Sequence, residues 1–242
     1  MATLAVLLWM AGPLAAQQDR PPLRPDPPEA PAQMHGPPAP SAQVASVEVA
    51  PAEDEQEFAA CLLALSMLGT RYTELPPILD DDDPDCGIAR PLQIDRIISD
   101  VALSGRPVMR CDTARALGLW TRDFLRPAAA LLDNAPRLSE LQTGPGYTCR
   151  ARVGTGSDAP KQSEHAYGNA IDIAGFAFDD GSVIPVEPRI DSGGQEESFQ
   201  RAARGTACLL FTTVLGPGAN VAHDNHLHLD LADRNGGWRL CE

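Results

Sequence analysis

Four of the chain's five histidines fall in two short segments, and that clustering limits what the chain can fold into. The first segment is Ser163-Glu164-His165-Ala166-Tyr167-Gly168-Asn169-Ala170-Ile171-Asp172. The second is His223-Asp224-Asn225-His226-Leu227-His228-Leu229-Asp230. Histidines used only for packing would be scattered; these are gathered with carboxylates at spacings that suit a metal ion. A fold that uses them must bring both segments to one place.

The fifth histidine, His35, stands in a different kind of sequence. Residues 17 to 51 hold ten prolines and no Phe, Trp or Tyr. Such a stretch has too little to bury to offset its ordering entropy, so residues 17–56 read as an extended proline-rich linker. Before it, Met1 to Ala16 is apolar and ends in Pro13-Leu14-Ala15-Ala16, as a signal peptide does, although no basic residue precedes Arg20. That run is short for a membrane span, so no stable span is expected. Residues 57–242 then suit one domain with a sizeable core.

Cys61, Cys86, Cys111, Cys149, Cys208 and Cys241 are well separated, with no Cys-x-x-Cys pair. The spacing argues for disulfides in an oxidising compartment and against a zinc ribbon or a thioredoxin-type site. Pairing by neighbours in sequence joins 61 with 86, 111 with 149 and 208 with 241. Leader and cysteines together place the protein in the periplasm or outside the cell. A net charge of −14 excludes a nucleic-acid partner that needs a basic surface. A monomer is expected.

Periodicity predicts a helix from Glu57 to Leu68, ended by Gly69. Asp80 to Asp83 reads as a surface loop, and Cys86 to Ile98 as a short strand pair. Asp112 is an N-cap candidate for a helix over Thr113 to Leu125, with a separate helical segment from Pro127 to Leu132. Gly146 to Val153 alternates as a strand would, and a polar loop over residues 154 to 162 leads to His165. Asn169 to Phe178 is the next predicted strand, joined by an Asp179-Asp180-Gly181 turn to Ser182–Val186. A helix over Glu196 to Leu215 and a last strand over Asp224 to Leu231 complete the pattern. Helices first and hairpin-linked strands after them predict an α+β fold on an antiparallel sheet, stabilised by disulfides.

On the last strand, period two puts His226, His228 and Asp230 on one face and Leu227, Leu229 and Leu231 on the other. Asp172 has Ala170 and Ala174 as small neighbours on its own face. Gly168 allows a turn that folds His165 back toward that carboxylate. Two imidazoles and a carboxylate satisfy a tetrahedral zinc and leave a fourth position for water, whose pKa such zinc lowers to about 7. Proton transfer to a leaving amine then falls to a nearby histidine, His226, with His223 assisting. Asp230 is placed to orient an imidazole from behind.

The run Ser-x-His-x-x-Gly-x-Ala-x-Asp from Ser163 to Asp172, followed by His226-x-His228, resembles the zinc peptidases grouped with lysostaphin, D-alanyl-D-alanine carboxypeptidases and hedgehog. The additional His223 is similar to the penicillin-insensitive murein endopeptidase branch. From Tyr147-Thr148-Cys149-Arg150 to Cys241 the chain resembles the bacterial extensin-like C-terminal domain family, over residues 57 to 242. The resemblance implies zinc held by His165, Asp172 and His228, with His226 as a catalytic histidine that does not bind the metal. It also implies substrate contacts from Ser163 and Arg150, and peptidoglycan or its stem peptides as substrate. Related carboxypeptidases carry a glutamate base three residues before the last ligand; here that position is Asn225, so the base is expected to be a histidine. Ser163 serves equally well as a cap for the turn at His165. A zinc-containing module that binds a wall peptide or protein without turning it over is the alternative to an enzyme.

Overall fold

A computed structural model describes residues 54–80, 83–153 and 161–242. The signal peptide expected at 1–16, nearly all of the linker expected at 17–56, Asp81 and Asp82 of the acidic stretch, and residues 154–160 lie outside the described residues.

Asp54 opens helix α1 (Glu55–Leu68), its carboxylate accepting the backbone N–H groups of Gln56 and Glu57 at 2.8 and 3.4 Å. Phe58, Cys61, Leu65 and Leu68 form its buried stripe. Strands β1 (Arg71–Glu74), β2 (Ile78–Leu79), β3 (Gly87–Ile88), β4 (Leu92–Ile98), β5 (Val101–Leu103) and β6 (Val108–Met109) precede the next helix. Helix α2 (Cys111–Trp120) runs through a π-helical turn, Thr121–Leu125, into α3 (Arg126–Ala129). After it come β7 (Leu138–Thr143), β8 (Ala170–Phe178), β9 (Val183–Pro185), α4 (Gln195–Ala207), β10 (Thr213–Leu215), β11 (Leu227–Asp230) and β12 (Leu240–Cys241).

The main sheet runs β1-β4-β5-β7-β8-β11-β10-β12, with β6 on β4 and β9 on β8. Its pairs are antiparallel except β5/β7 and β10/β12, and β2 pairs with β3 apart from it. The fold is therefore α+β on a mostly antiparallel sheet. Among the described residues no helix is long and apolar enough to cross a membrane.

Trp120 ties the helices to the sheet. Its ring is fully buried, meets Phe176 of β8 edge-on at 6.3 Å, and donates from Nε1 to Ala203 O and Thr206 Oγ1 of α4. Phe199 of α4 packs edge-on against both Phe176 and Phe178. Ile171, Ile173, Leu227 and Leu229 join the same core, which leaves Asp172, His228 and Asp230 on the other face of β8 and β11. Within β8 the register slips: Thr143 faces Ile173 while Gln142 faces Gly175, so Ala174 has no partner on β7. This bulge lets Ile173 and Phe176 both reach the core, although strict alternation would have put Phe176 on the face of Asp172.

Several expectations change. Residues 146–153 form no regular strand. Their backbone bonds go to the chain entering His165, through Thr148 N–H to His165 O, Ser163 N–H to Arg150 O and Arg152 N–H to Lys161 O, with a single bridge at Ala151 and Gln162. The helix predicted over 196–215 ends at Ala207; Thr213–Leu215 is instead a strand, because β11 and β12 offer it ladder partners on both sides. β3 and β4 do not pair with each other: β3 pairs with β2, and β4 with β1, β5 and β6. Arg110, not Asp112, holds the N-cap position of α2, and the helix passes into Pro127 without a break through the π-helical turn Thr121–Leu125, where Arg126 N–H bonds back to Thr121 O. The final strand starts at Leu227, with His226 in the bend before it.

Disulfides join Cys61 to Cys111, Cys86 to Cys149 and Cys208 to Cys241. Only the last follows the neighbour pairing. α1 packs on α2, which brings Cys61 to the first residue of α2, and Cys86 instead anchors the 146–153 arm.

Candidate metal centre

Antiparallel pairing of β8 with β11 sets Asp172 directly opposite His228 and Ala170 opposite Asp230. Directly opposed side chains lie within about 4.5–5.5 Å at Cβ, so two candidate ligands meet without help from a loop. His165 arrives separately, on a 3-10 turn, Glu164–Tyr167, that follows the extended arm. Ser163 caps this turn by accepting the His165 N–H at 3.4 Å. Gly168 ends it at φ 64°, and its carbonyl accepts from Arg110 N and Thr113 Oγ1. A Cβ at Gly168 would stand 2.3 Å from Ile88 Cδ1, so both conformation and space call for glycine there.

The three side chains converge. His228 Nδ1 lies 3.0 Å from Asp172 Oδ1, and His165 Nε2 lies 3.2 Å from both Asp172 Oδ1 and His228 Nδ1. Both imidazoles are almost fully buried. Each gives its other nitrogen to an acceptor: His165 Nδ1–H donates to Gly146 O at 2.9 Å, and His228 Nε2–H donates to Asp230 Oδ2 at 3.1 Å. Their remaining nitrogens therefore face each other and the carboxylate. Ligands at 2.0–2.1 Å from a tetrahedral ion are about 3.3 Å apart, close to the separations found here. His165, Asp172 and His228 form a group that could hold a metal ion. Asp83, Cys86 and Cys149 also lie close together, but both thiols are spent in a disulfide.

Electrostatics favour a cation at the cluster. Burial alone would raise the Asp172 carboxyl, but hydrogen bonds from His165 and His228 outweigh it and hold the group well below the usual carboxylate range. Burial likewise opposes a charge on His228, yet Asp172 and Asp230 on either side raise it to about 9.

His226 and His223 stand beside the cluster. His226 Nε2 is 3.7 Å from Asp172 Oδ1, and its Nδ1–H donates to Asn225 Oδ1 at 2.9 Å. His223 donates from Nδ1 to Asn220 Oδ1 at 2.8 Å, its ring 5.3 Å from that of His226 and 5.7 Å from that of His228. Burial, with the neighbouring His228 and His226, lowers the His223 pKa to about 4. Burial also lowers that of His226, against the pull of Asp172. Each ring thus keeps a neutral nitrogen with its lone pair free.

A cavity of about 160 Å³ adjoins the cluster, lined by Arg150, Arg152, Ser163, His223, His228 and Arg234 among others. Arg150 bears on both His223 and His226 by its charge. Arg152 is paired with Glu164 at 2.8 Å, and Asn169 donates to the other Glu164 oxygen at 2.9 Å, so Glu164 is fully engaged away from the cluster.

Four contributors were not among the residues expected from the sequence. Gly146 supplies the carbonyl that orients His165, and a Cβ there would lie 2.3 Å from Val108 O. Asn220 could have been found as the cap of the turn bearing His223. Thr213 and Arg234 could not, because only the pairing of β10 with β11 brings them near.

A family model described as extensin-like protein C-terminus matches residues 59–242. The chain belongs to that family. In this extensin-like chain the matched stretch includes every side chain of the cluster and all six cysteines. No match was found among curated proteins or solved structures.

Proposed function

We propose that this extensin-like chain is a zinc-dependent peptidase that hydrolyses amide bonds in peptidoglycan stem peptides or cross-links, in the periplasm or outside the cell. One observation carries the proposal: His165 Nε2, His228 Nδ1 and a carboxylate oxygen of Asp172 meet at 3.0–3.2 Å, with the other nitrogen of each ring already bonded. Two nitrogens and one oxygen are a donor set suited to zinc with an open position. Bound there, zinc would supply Lewis acidity and acidify a water to a pKa of about 7.

The protein's own groups supply the rest. Neither Asn225 nor Glu164 is available as a base, since one has no carboxylate and the other is committed to Arg152 and Asn169. His226 Nε2, 3.7 Å from Asp172 Oδ1, is the proton acceptor in this reading. Its Nδ1–H is anchored on Asn225, which fixes the ring for taking a proton and returning it to the leaving amine. His223 Nε2 lies beside it and assists, and Arg150 faces the same space as a substrate contact. Two additional neutral histidines favour chemistry over a purely structural ion. The peptidoglycan substrate follows from the resemblance to murein peptidases and from the export signal.

The test is a digest of purified peptidoglycan by the full chain, read by mass spectrometry with and without chelator, beside zinc analysis. The expected result is chelator-sensitive cleavage with about one zinc per chain. His228→Ala should lose both zinc and activity, and full activity in that variant would sink the proposal. His226→Ala should keep zinc and lose about 10²–10⁴-fold in kcat.

A further inference from the structure

Behind His228 runs a connected series of polar groups that ends at the C-terminal segment. Asp230 accepts the His228 Nε2–H on Oδ2 at 3.1 Å and the Ala232 N–H on Oδ1 at 3.0 Å. Thr213 is the direct cross-strand partner of Asp230, which puts both side chains on one face of the sheet with the Thr213 hydroxyl beside the Asp230 carboxylate. Arg234 Nη2 in turn donates to Thr213 Oγ1 at 2.6 Å. The Arg234 guanidinium lies over the Trp238 ring at 5.0 Å, and its Nε is buried without a partner. Among the described residues no carboxylate pairs with Arg234, so Thr213 and Trp238 set its position. The segment that carries it is held by the pairing of β12 with β10 and by the Cys208–Cys241 disulfide.

We propose that Arg234 is a positioning residue for His228, acting through Thr213 and Asp230. A threonine hydroxyl has one proton to give. With Arg234 donating into its oxygen, that proton goes to Asp230. The Asp230 carboxylate stays fixed as the acceptor of Nε2–H, and Nδ1 of His228 stays aimed at His165 Nε2 and Asp172, where a cation would sit. Groups that orient a metal-binding histidine in this way affect affinity for the metal itself. The inference rests on the zinc reading above.

Zinc affinity of the full chain, measured by competition with a chromophoric chelator and without substrate, tests it. Arg234→Met and Thr213→Val should each weaken zinc binding by about 10- to 100-fold, and together by no more than the larger single effect. Arg234→Lys should recover part of the loss. Arg239→Met, which removes donors to Cys208 O and Phe211 O, should lower thermal stability and leave affinity unchanged. If Arg234→Met does not fold, Thr213→Val decides. Folded variants that bind zinc within twofold of the wild type overturn the relay and leave the zinc reading intact. A wild-type chain that binds no zinc overturns the zinc reading first, and the relay with it.

Discussion

Gly168→Ala tests how the chain holds His165 against the sheet. The glycine sits at φ 64°, and an L side chain in that region costs about 1–2 kcal/mol. Its new Cβ would stand 2.3 Å from Ile88 Cδ1, 3.0 Å from Ile88 Cγ1 and 3.2 Å from Arg110 N. Ile88 is buried and Arg110 N is backbone, so neither yields freely, and overpacking of this kind costs about 1–3 kcal/mol. Together the penalty is about 2–5 kcal/mol, a large part of the roughly 5–15 kcal/mol that holds a typical domain folded. Urea unfolding with an unchanged slope should read it as a shift in midpoint, and zinc affinity should fall because the same turn carries His165. Gly168→Asn, which tolerates the left-handed region better, should keep mainly the steric part. A Gly168→Ala protein within about 0.5 kcal/mol of the wild type would refute this view of the turn.

Zinc binding at pH 7 should release about one proton per ion, because the cation displaces the proton that Asp172 and Asp230 hold on His228, whose pKa is raised to about 9. Affinity should then rise about tenfold per pH unit until that pKa is passed, and calorimetry in buffers of different ionisation enthalpy measures the release; none at pH 7 would contradict the assignment. Replacing Cys208 and Cys241 together by serine opens a loop with sequence separation 33 and should cost about 3.7 kcal/mol on the chain-entropy model, read by chemical denaturation under non-reducing conditions. Trp120→Phe removes the donor to Ala203 O and Thr206 Oγ1 and should cost about 1–2 kcal/mol in thermal unfolding, with zinc content unchanged.

The parts of the fold legible from the sequence are those set by local chemistry. Alternation along Leu227 to Asp230 separates leucines from His228 and Asp230, and the structure keeps that division. The glycine after His165 marks a real turn, and the periodicity over Glu57 to Leu68 marks a real helix, α1, ended by Gly69. What was hidden depends on partners distant in sequence. Thr213–Leu215 extends the apolar pattern of α4, and only the edges of β11 and β12 make it a strand. Cys61 and Cys86 choose partners by packing, which spacing does not encode. The bulge at Ala174 inverts the face of every later residue in β8, and no residue type announces it. At the site, the gathering of histidines with Asp172 is readable from side-chain chemistry and the choice of His228 comes from the family resemblance, whereas the carbonyl that orients His165 is backbone, and no side-chain pattern announces which backbone group will face a ring.

The most direct measurement is X-ray absorption at the zinc edge on the zinc-loaded full chain. Nitrogen and oxygen neighbours at about 2.0–2.1 Å, with two imidazoles that fall to one in His165→Ala, are the expected result. A shell of oxygens alone, or one unchanged by losing His165, would contradict a cation shared by His165, Asp172 and His228.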